Sequence, residues 1–119
     1  MKKNITTGLH ILGEVFTKEN STLTDLPFIK NKILKLIEEI GLSNVGFTAH
    51  EFAGGGFTLI IALAESHFSI HTWPEMNYAT LDVFVCNIDK DNTLLAKMFF
   101  NRVVKLLNPK SITQREIIR

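Results

Sequence analysis

The stretch Tyr78-Ala79-Thr80-Leu81-Asp82-Val83-Phe84-Val85-Cys86 alternates without a break. In an extended strand Ala79, Leu81, Val83 and Val85 share one face, and Tyr78, Thr80, Asp82, Phe84 and Cys86 share the other. The aliphatic face is built to pack on helices. The mixed polar and aromatic face must meet water, a ligand or another sheet. Outward from this strand, residues 7–16 place Leu9, Ile11 and Val15 on one parity and predict a first strand. Residues 45–52 and 57–64 predict two more, joined through Gly54-Gly55-Gly56, and a short last strand is predicted near residues 111–118. Thr24 as cap, Pro27 near the start, apolar Leu26, Ile29, Ile33, Leu36, Ile37 and Ile40, and Gly41 at the end predict an amphipathic helix. Its lysines and glutamates read as a solvated face. Asp91 as cap opens a second helix through Leu95, Phe99, Val103, Leu106 and Leu107, which Pro109 stops. The order β-α-β-β-β-β-α-β predicts an α+β two-layer sandwich: a largely antiparallel sheet with two helices on one face, the other face left for assembly.

A length of 119 residues and 45% hydrophobic content suit a single domain spanning 1–119. Thirteen basic against twelve acidic side chains leave a net charge of +1, and no basic run interleaves with aromatics, which argues against a nucleic-acid partner. Cys86 is the single cysteine, so no intrachain disulfide forms. Lys2 and Lys3 are not followed by an apolar stretch of signal-peptide length, and no apolar run reaches about 18 residues. Together these features predict a cytoplasmic protein with no membrane partner.

Chemistry concentrates in Glu65-Ser66-His67-Phe68-Ser69-Ile70-His71-Thr72-Trp73-Pro74-Glu75. A serine hydrolase fits poorly, because Ser66 lacks the Gly-x-Ser-x-Gly elbow that exposes a nucleophile. His67 and His71 point the same way on a strand, and His50 or Cys86 could complete a metal site, but no paired-cysteine or His-Glu-x-x-His signature supports one. His10, His50 and His67, taken singly, read as hydrogen-bonded structural residues. The three glycines lack the Lys-Ser/Thr and the following helix of a phosphate loop. By residue type Phe52 reads as core, and Trp73 as core or partly exposed.

As a motif, residues 65–75 closely resemble the signature of the short bacterial and archaeal S-adenosylmethionine decarboxylases. The resemblance continues through Tyr78-Ala79, Asp82-Val83-Phe84, Cys86, His50-x-Phe52, the glycine turn and Gly8-Leu9-His10. It implies a proenzyme cut between Glu65 and Ser66 into a β chain of 1–65 and an α chain of 66–119. Ser66 would attack its own preceding carbonyl in an N-to-O acyl shift, and elimination of the ester would leave a pyruvoyl cofactor derived from Ser66. The resemblance makes His71 the processing base, Thr58 a hydroxyl that assists, and Cys86 the donor that protonates the α-carbon after CO2 leaves. The pyruvoyl ketone would form a Schiff base with the substrate amine and accept the electron pair. Phe52 and Trp73 would stack on S-adenosylmethionine and Glu75 would hold its ribose, in a homodimer of αβ protomers paired as an αββα stack.

Three positions depart from the pattern: Leu9 where relatives commonly carry Arg, Glu51 where a basic residue is common, and Asn87 where Gly often follows the cysteine. Loss of an Arg deletes a fixed charge and a planar donor fork, so a changed substrate pocket or dimer surface is an expectation. The same chemistry would serve ornithine or arginine. An unprocessed, non-catalytic homologue with a binding or regulatory role is the alternative from another class.

Overall fold

The computed structural model describes residues 8–87 and 90–119. Six strands, β1 (Gly8–Thr17), β2 (Asn44–Glu51), β3 (Phe57–Leu63), β4 (Ser66–Trp73), β5 (Tyr78–Cys86) and β6 (Pro109–Ile118), form one sheet in the order β2-β3-β4-β5-β1-β6. Every neighbouring pair is antiparallel. Helices α1 (Leu26–Ile40) and α2 (Thr93–Leu106) lie on one face, so the predicted α+β sandwich and its element order hold. Thr7, which opened the predicted first strand, lies outside the described residues.

The alternation in β5 decides the layering. Ala79, Leu81, Val83 and Val85 are buried, with Leu9, Ile11 and Val15 of β1 beside them. Ile29, Ile33, Leu36 and Ile37 of α1 and Ala96, Phe99, Phe100 and Val103 of α2 complete the core. The Phe68 and Phe99 rings meet edge to face at 5.2 Å between centroids, a contact that adds about 0.5–1.5 kcal/mol to the burial of two large rings. Gly13 is the opening in β1 that admits Phe100: a Cβ there would stand 2.5 Å from the Phe100 Cζ.

The helix starts differ from the predictions by one residue each. Asp25, not Thr24, caps α1, accepting the Phe28 N–H at 3.1 Å, while the Thr24 hydroxyl donates back to the Ser21 carbonyl. Asn92, not Asp91, occupies the cap position of α2, although Asp91 accepts the Thr93 N–H at 2.9 Å. The last strand is longer than predicted because it pairs along the whole of β1. Leu9 is 1% exposed in the core, so a leucine there alters neither a pocket nor the open sheet face.

Every residue of edge strand β2 is exposed. The chain turns from β2 into β3 over the glycines, where the Phe52 N–H donates to the Gly56 carbonyl at 2.8 Å. Gly56 is required by close approach, since a Cβ would lie 2.5 Å from the Thr72 carbonyl oxygen. Buried Thr72 locks this corner: its hydroxyl accepts the Phe57 N–H at 2.9 Å and donates to the Leu23 carbonyl at 2.8 Å. No helix among the described residues is long and apolar enough to cross a membrane.

Candidate active site

Strand β4 carries the site and gives it two ends. Because β4 is extended, His67, Ser69, His71 and Trp73 point to the face away from the helices, alongside Tyr78, Thr80, Asp82, Phe84 and Cys86 of β5. At one end Ser66 pairs in register with Val85, and the adjacent Cys86 donates its backbone N–H to the Glu65 carbonyl at 2.7 Å. The Glu65 side chain accepts the Ser43 N–H at 3.0 Å, so this residue is held from both sides. Ser66 itself has φ 157°, a value that side-chain-bearing residues seldom adopt. A cavity of about 370 Å³ opens beside the junction, lined by Ala64, Glu65, Cys86, Lys90 and Asn92.

At the other end His71 is opposite Thr58, and the Thr58 hydroxyl lies 2.9 Å from the His71 Nδ1. Phe52, Trp73 and Glu75 surround a second cavity of about 470 Å³ with Gly54, Gly56, Thr58 and His71. Phe52 is 52% exposed and Trp73 37%, so residue type misread Phe52 as core. The Trp73 ring leans on Tyr78 at 5.6 Å and stands 6.4 Å from the His71 ring. The structure therefore joins Glu65, Ser66 and Cys86, and separately joins Thr58, His71, Phe52, Trp73 and Glu75. It does not bring the two groups together within one chain: five residues of strand rise put Ser66 and His71 about 16 Å apart.

Between the two ends lies a cluster the motif did not single out as a unit. The His10 Nε2 bonds to the Asp82 Oδ1, the His67 Nε2 stands 3.6 Å from the same oxygen, and Arg119 donates to the His10 Nδ1 at 3.1 Å. The ligand-type atoms of His10, His67 and Asp82 lie within 4.8 Å of one another. With a guanidinium on one ring nitrogen, His10 carries its proton on the other and donates it to Asp82, a hydrogen-bonded network. The hydrogen-bonded reading of His10 thus has named partners, whereas His67 only stands near Asp82; the metal set that the sequence disfavoured, His67, His71 and His50 or Cys86, does not appear as a cluster among the described residues. His50 sits exposed on edge strand β2 against the Phe52 ring. The signal for the cluster was available in the sequence as the shared parity of His10, His67 and Asp82, but parity alone does not pair strands.

The open sheet face thus carries histidine, thiol, hydroxyl and carboxylate groups above a two-helix layer. The description "S-adenosylmethionine decarboxylase" belongs to the family model that matches residues 9–119. An S-adenosylmethionine decarboxylase proenzyme of Methanococcus maripaludis is 34% identical over 114 residues, covering 94% of this chain and 88% of that protein. An arginine decarboxylase proenzyme of Caldivirga maquilingensis is 35% identical over 115 residues, covering 94% and 83%. The crystal structure of the adenosylmethionine decarboxylase from Aquifex aeolicus superposes with a TM-score of 0.86 at 29% identity, covering 98% of this chain and 92% of that one. The class is thus that of α+β decarboxylases. The chain belongs to the S-adenosylmethionine decarboxylase family.

Proposed function

We infer that this chain is a self-processing, pyruvoyl-dependent decarboxylase of S-adenosylmethionine that supplies the aminopropyl donor for spermidine synthesis. The observation that carries the reading is the hydrogen bond from the Cys86 N–H to the Glu65 carbonyl, at a junction where Ser66 has an unusual φ. In self-processing the Ser66 hydroxyl adds to the Glu65 carbonyl carbon, its proton passes to the Ser66 nitrogen, and the amide becomes an ester. The Cys86 N–H is aimed at the oxygen on which negative charge develops. Removal of the Ser66 α-proton then expels Glu65 as a carboxylate and leaves dehydroalanine, whose tautomerisation and hydrolysis release ammonia. The products are a β chain of 1–65 and an α chain of 66–119 that begins with the pyruvoyl group.

The residues present fit that group: it would lie at the start of β4, next to the cavity that Cys86 lines. When formed, it supplies the electron sink that takes the pair left by CO2. Cys86 is half-buried on the open face and serves as the proton donor to the α-carbon. Exposed Phe52 and Trp73 offer faces for a purine and a sulfonium, with Glu75 beside them for the ribose hydroxyls.

His71 is too far along β4 to act as base on its own Ser66. The reading is therefore complete only in a homodimer of αβ protomers. Two open faces pair with strand ends exchanged, so that Thr58, His71, Phe52, Trp73 and Glu75 of one copy serve Ser66 and Cys86 of the other. A two-fold axis makes both sites alike. Exposed Phe16, Ile60 and Ile117 on that face provide apolar area for the pairing.

Arginine as substrate is the second reading, favoured by the Caldivirga relative. Release of CO2 from S-adenosylmethionine, arginine and ornithine by the purified protein decides. The proposal expects S-adenosylmethionine to lead by about 100-fold or more in kcat/KM; a lead by arginine replaces the substrate and keeps the chemistry.

A further inference from the structure

Cys86 ends β5, where a side chain is free to move with the departing backbone. Both of its backbone polar groups are nevertheless engaged: the N–H with Glu65, and the carbonyl as acceptor from the Asn92 Nδ2 at 2.8 Å. Asn92 is 4% exposed at the head of α2. Its own N–H donates to the Asn87 Oδ1 at 2.7 Å, and the Asn87 Nδ2 donates to the Thr93 hydroxyl at 3.1 Å. These bonds tie the end of the strand to the start of the helix.

An asparagine in this position ordinarily turns its side-chain oxygen onto the helix N–H groups. Here Asn92 makes no capping bond, and Asp91 takes the Thr93 N–H instead. The amide is turned so that its NH2 meets Cys86. A flip would set two acceptors against each other, so the hydrogen-bond chemistry fixes the orientation. The Asn92 Oδ1 is then buried with no partner among the described residues, in a side chain that lines the cavity shared by Glu65, Cys86 and Lys90. The amide gives up capping, and a partner for its oxygen among the described residues, while it holds Cys86.

We propose that Asn92, held by Asn87, is a positioning residue that holds Cys86, and with it the thiol, at the cleavage junction. This rests on the reading of Cys86 as proton donor. Asn87, one of the departures from the family pattern, thereby gains a role.

Because Cys86 is the single cysteine, alkylation by iodoacetamide followed by mass spectrometry reports on that thiol alone. In full-length Ser66→Ala protein, which removes processing and turnover from the measurement, alkylation rates are compared over roughly pH 6 to 9 with and without Asn92→Leu. The expected result is a change of about threefold or more in rate, with a displaced pH profile. In the Ser66 background, Asn92→Leu should still process, with kcat lower by about tenfold or more and KM little changed. Should Asn92→Leu fail to fold, Asn87→Ala leaves Asn92 in place without its amide partner, and a smaller change in the same direction is expected. Superimposable alkylation profiles and unchanged kcat in a folded variant overturn the proposal. Full turnover by Cys86→Ala removes the proton-donor reading instead, and the alkylation comparison still decides whether Asn92 holds the thiol.

Discussion

Cys86 and Glu65 meet backbone to backbone: the Cys86 N–H donates to the Glu65 carbonyl at 2.7 Å, making the thiol-bearing residue and the Glu65–Ser66 junction one hydrogen-bonded unit. The two functions proposed for Cys86 should then separate on mutation. Cys86→Ala keeps the backbone N–H and should process, while turnover falls by about 100-fold or more with loss of the general acid. Processing that stops in Cys86→Ala would show that the side chain, not the amide, serves the cleavage.

The distance between Ser66 and His71 makes a prediction about assembly. Ser66→Ala and His71→Ala proteins should each remain uncleaved alone. Coexpressed, they should yield cleaved His71→Ala chains, because a Ser66→Ala partner supplies an intact His71 across the interface. Cleavage absent from the mixture, or a monomer by light scattering at working concentration, would rule out the two-chain site.

Tyr78 offers a spectroscopic probe of the open face, since it is the single tyrosine. Burial first, then the charge and the hydrogen bond of Glu14, raises its phenol above the usual 10.0. A raised folded value means that the associated stability is complete below about pH 10 and is lost as pH rises through the folded value. Phenolate absorbance should titrate above free tyrosine, and Glu14→Gln should bring the midpoint part of the way down. A midpoint unmoved by Glu14→Gln would remove the proposed contact.

Gly13 tests the core. Gly13→Ala sets a methyl 2.5 Å from Phe100, and overpacking of this kind costs about 1–3 kcal/mol. Urea melts should show that loss; equal midpoints would mean that Phe100 moves aside freely.

Much of this architecture was legible because burial imposes a period. The alternation of β5 gave the layering, and Ile29, Ile33, Leu36 and Ile37 of α1 are buried as their spacing requires. Cap positions slipped by one because Thr24 and Asp25, like Asp91 and Asn92, are adjacent residues that can both cap; Asp25 is the stronger of its pair, and between Asp91 and Asn92 only the chain path selects. The site was legible as residues and not as an arrangement. Contiguity of residues 65–75 suggested one cluster, but strand rise distributes Ser66 and His71 to opposite ends of β4. Phe52 was misplaced because residue type alone favours burial, whereas the chain leaves it exposed beside a cavity. The Asn87–Asn92 tie spans a connection whose hydrogen bonds leave no periodic trace.

In the proposed reaction Ser66 attacks once, within its own chain, and then ceases to be serine. Intact-mass measurement of the purified protein after prolonged incubation reads this out. Two chains are expected, residues 1–65 and residues 66–119, the second carrying a pyruvoyl group in place of its amino-terminal serine. A single uncleaved chain of 119 residues would refute self-processing and leave the non-catalytic homologue as the reading.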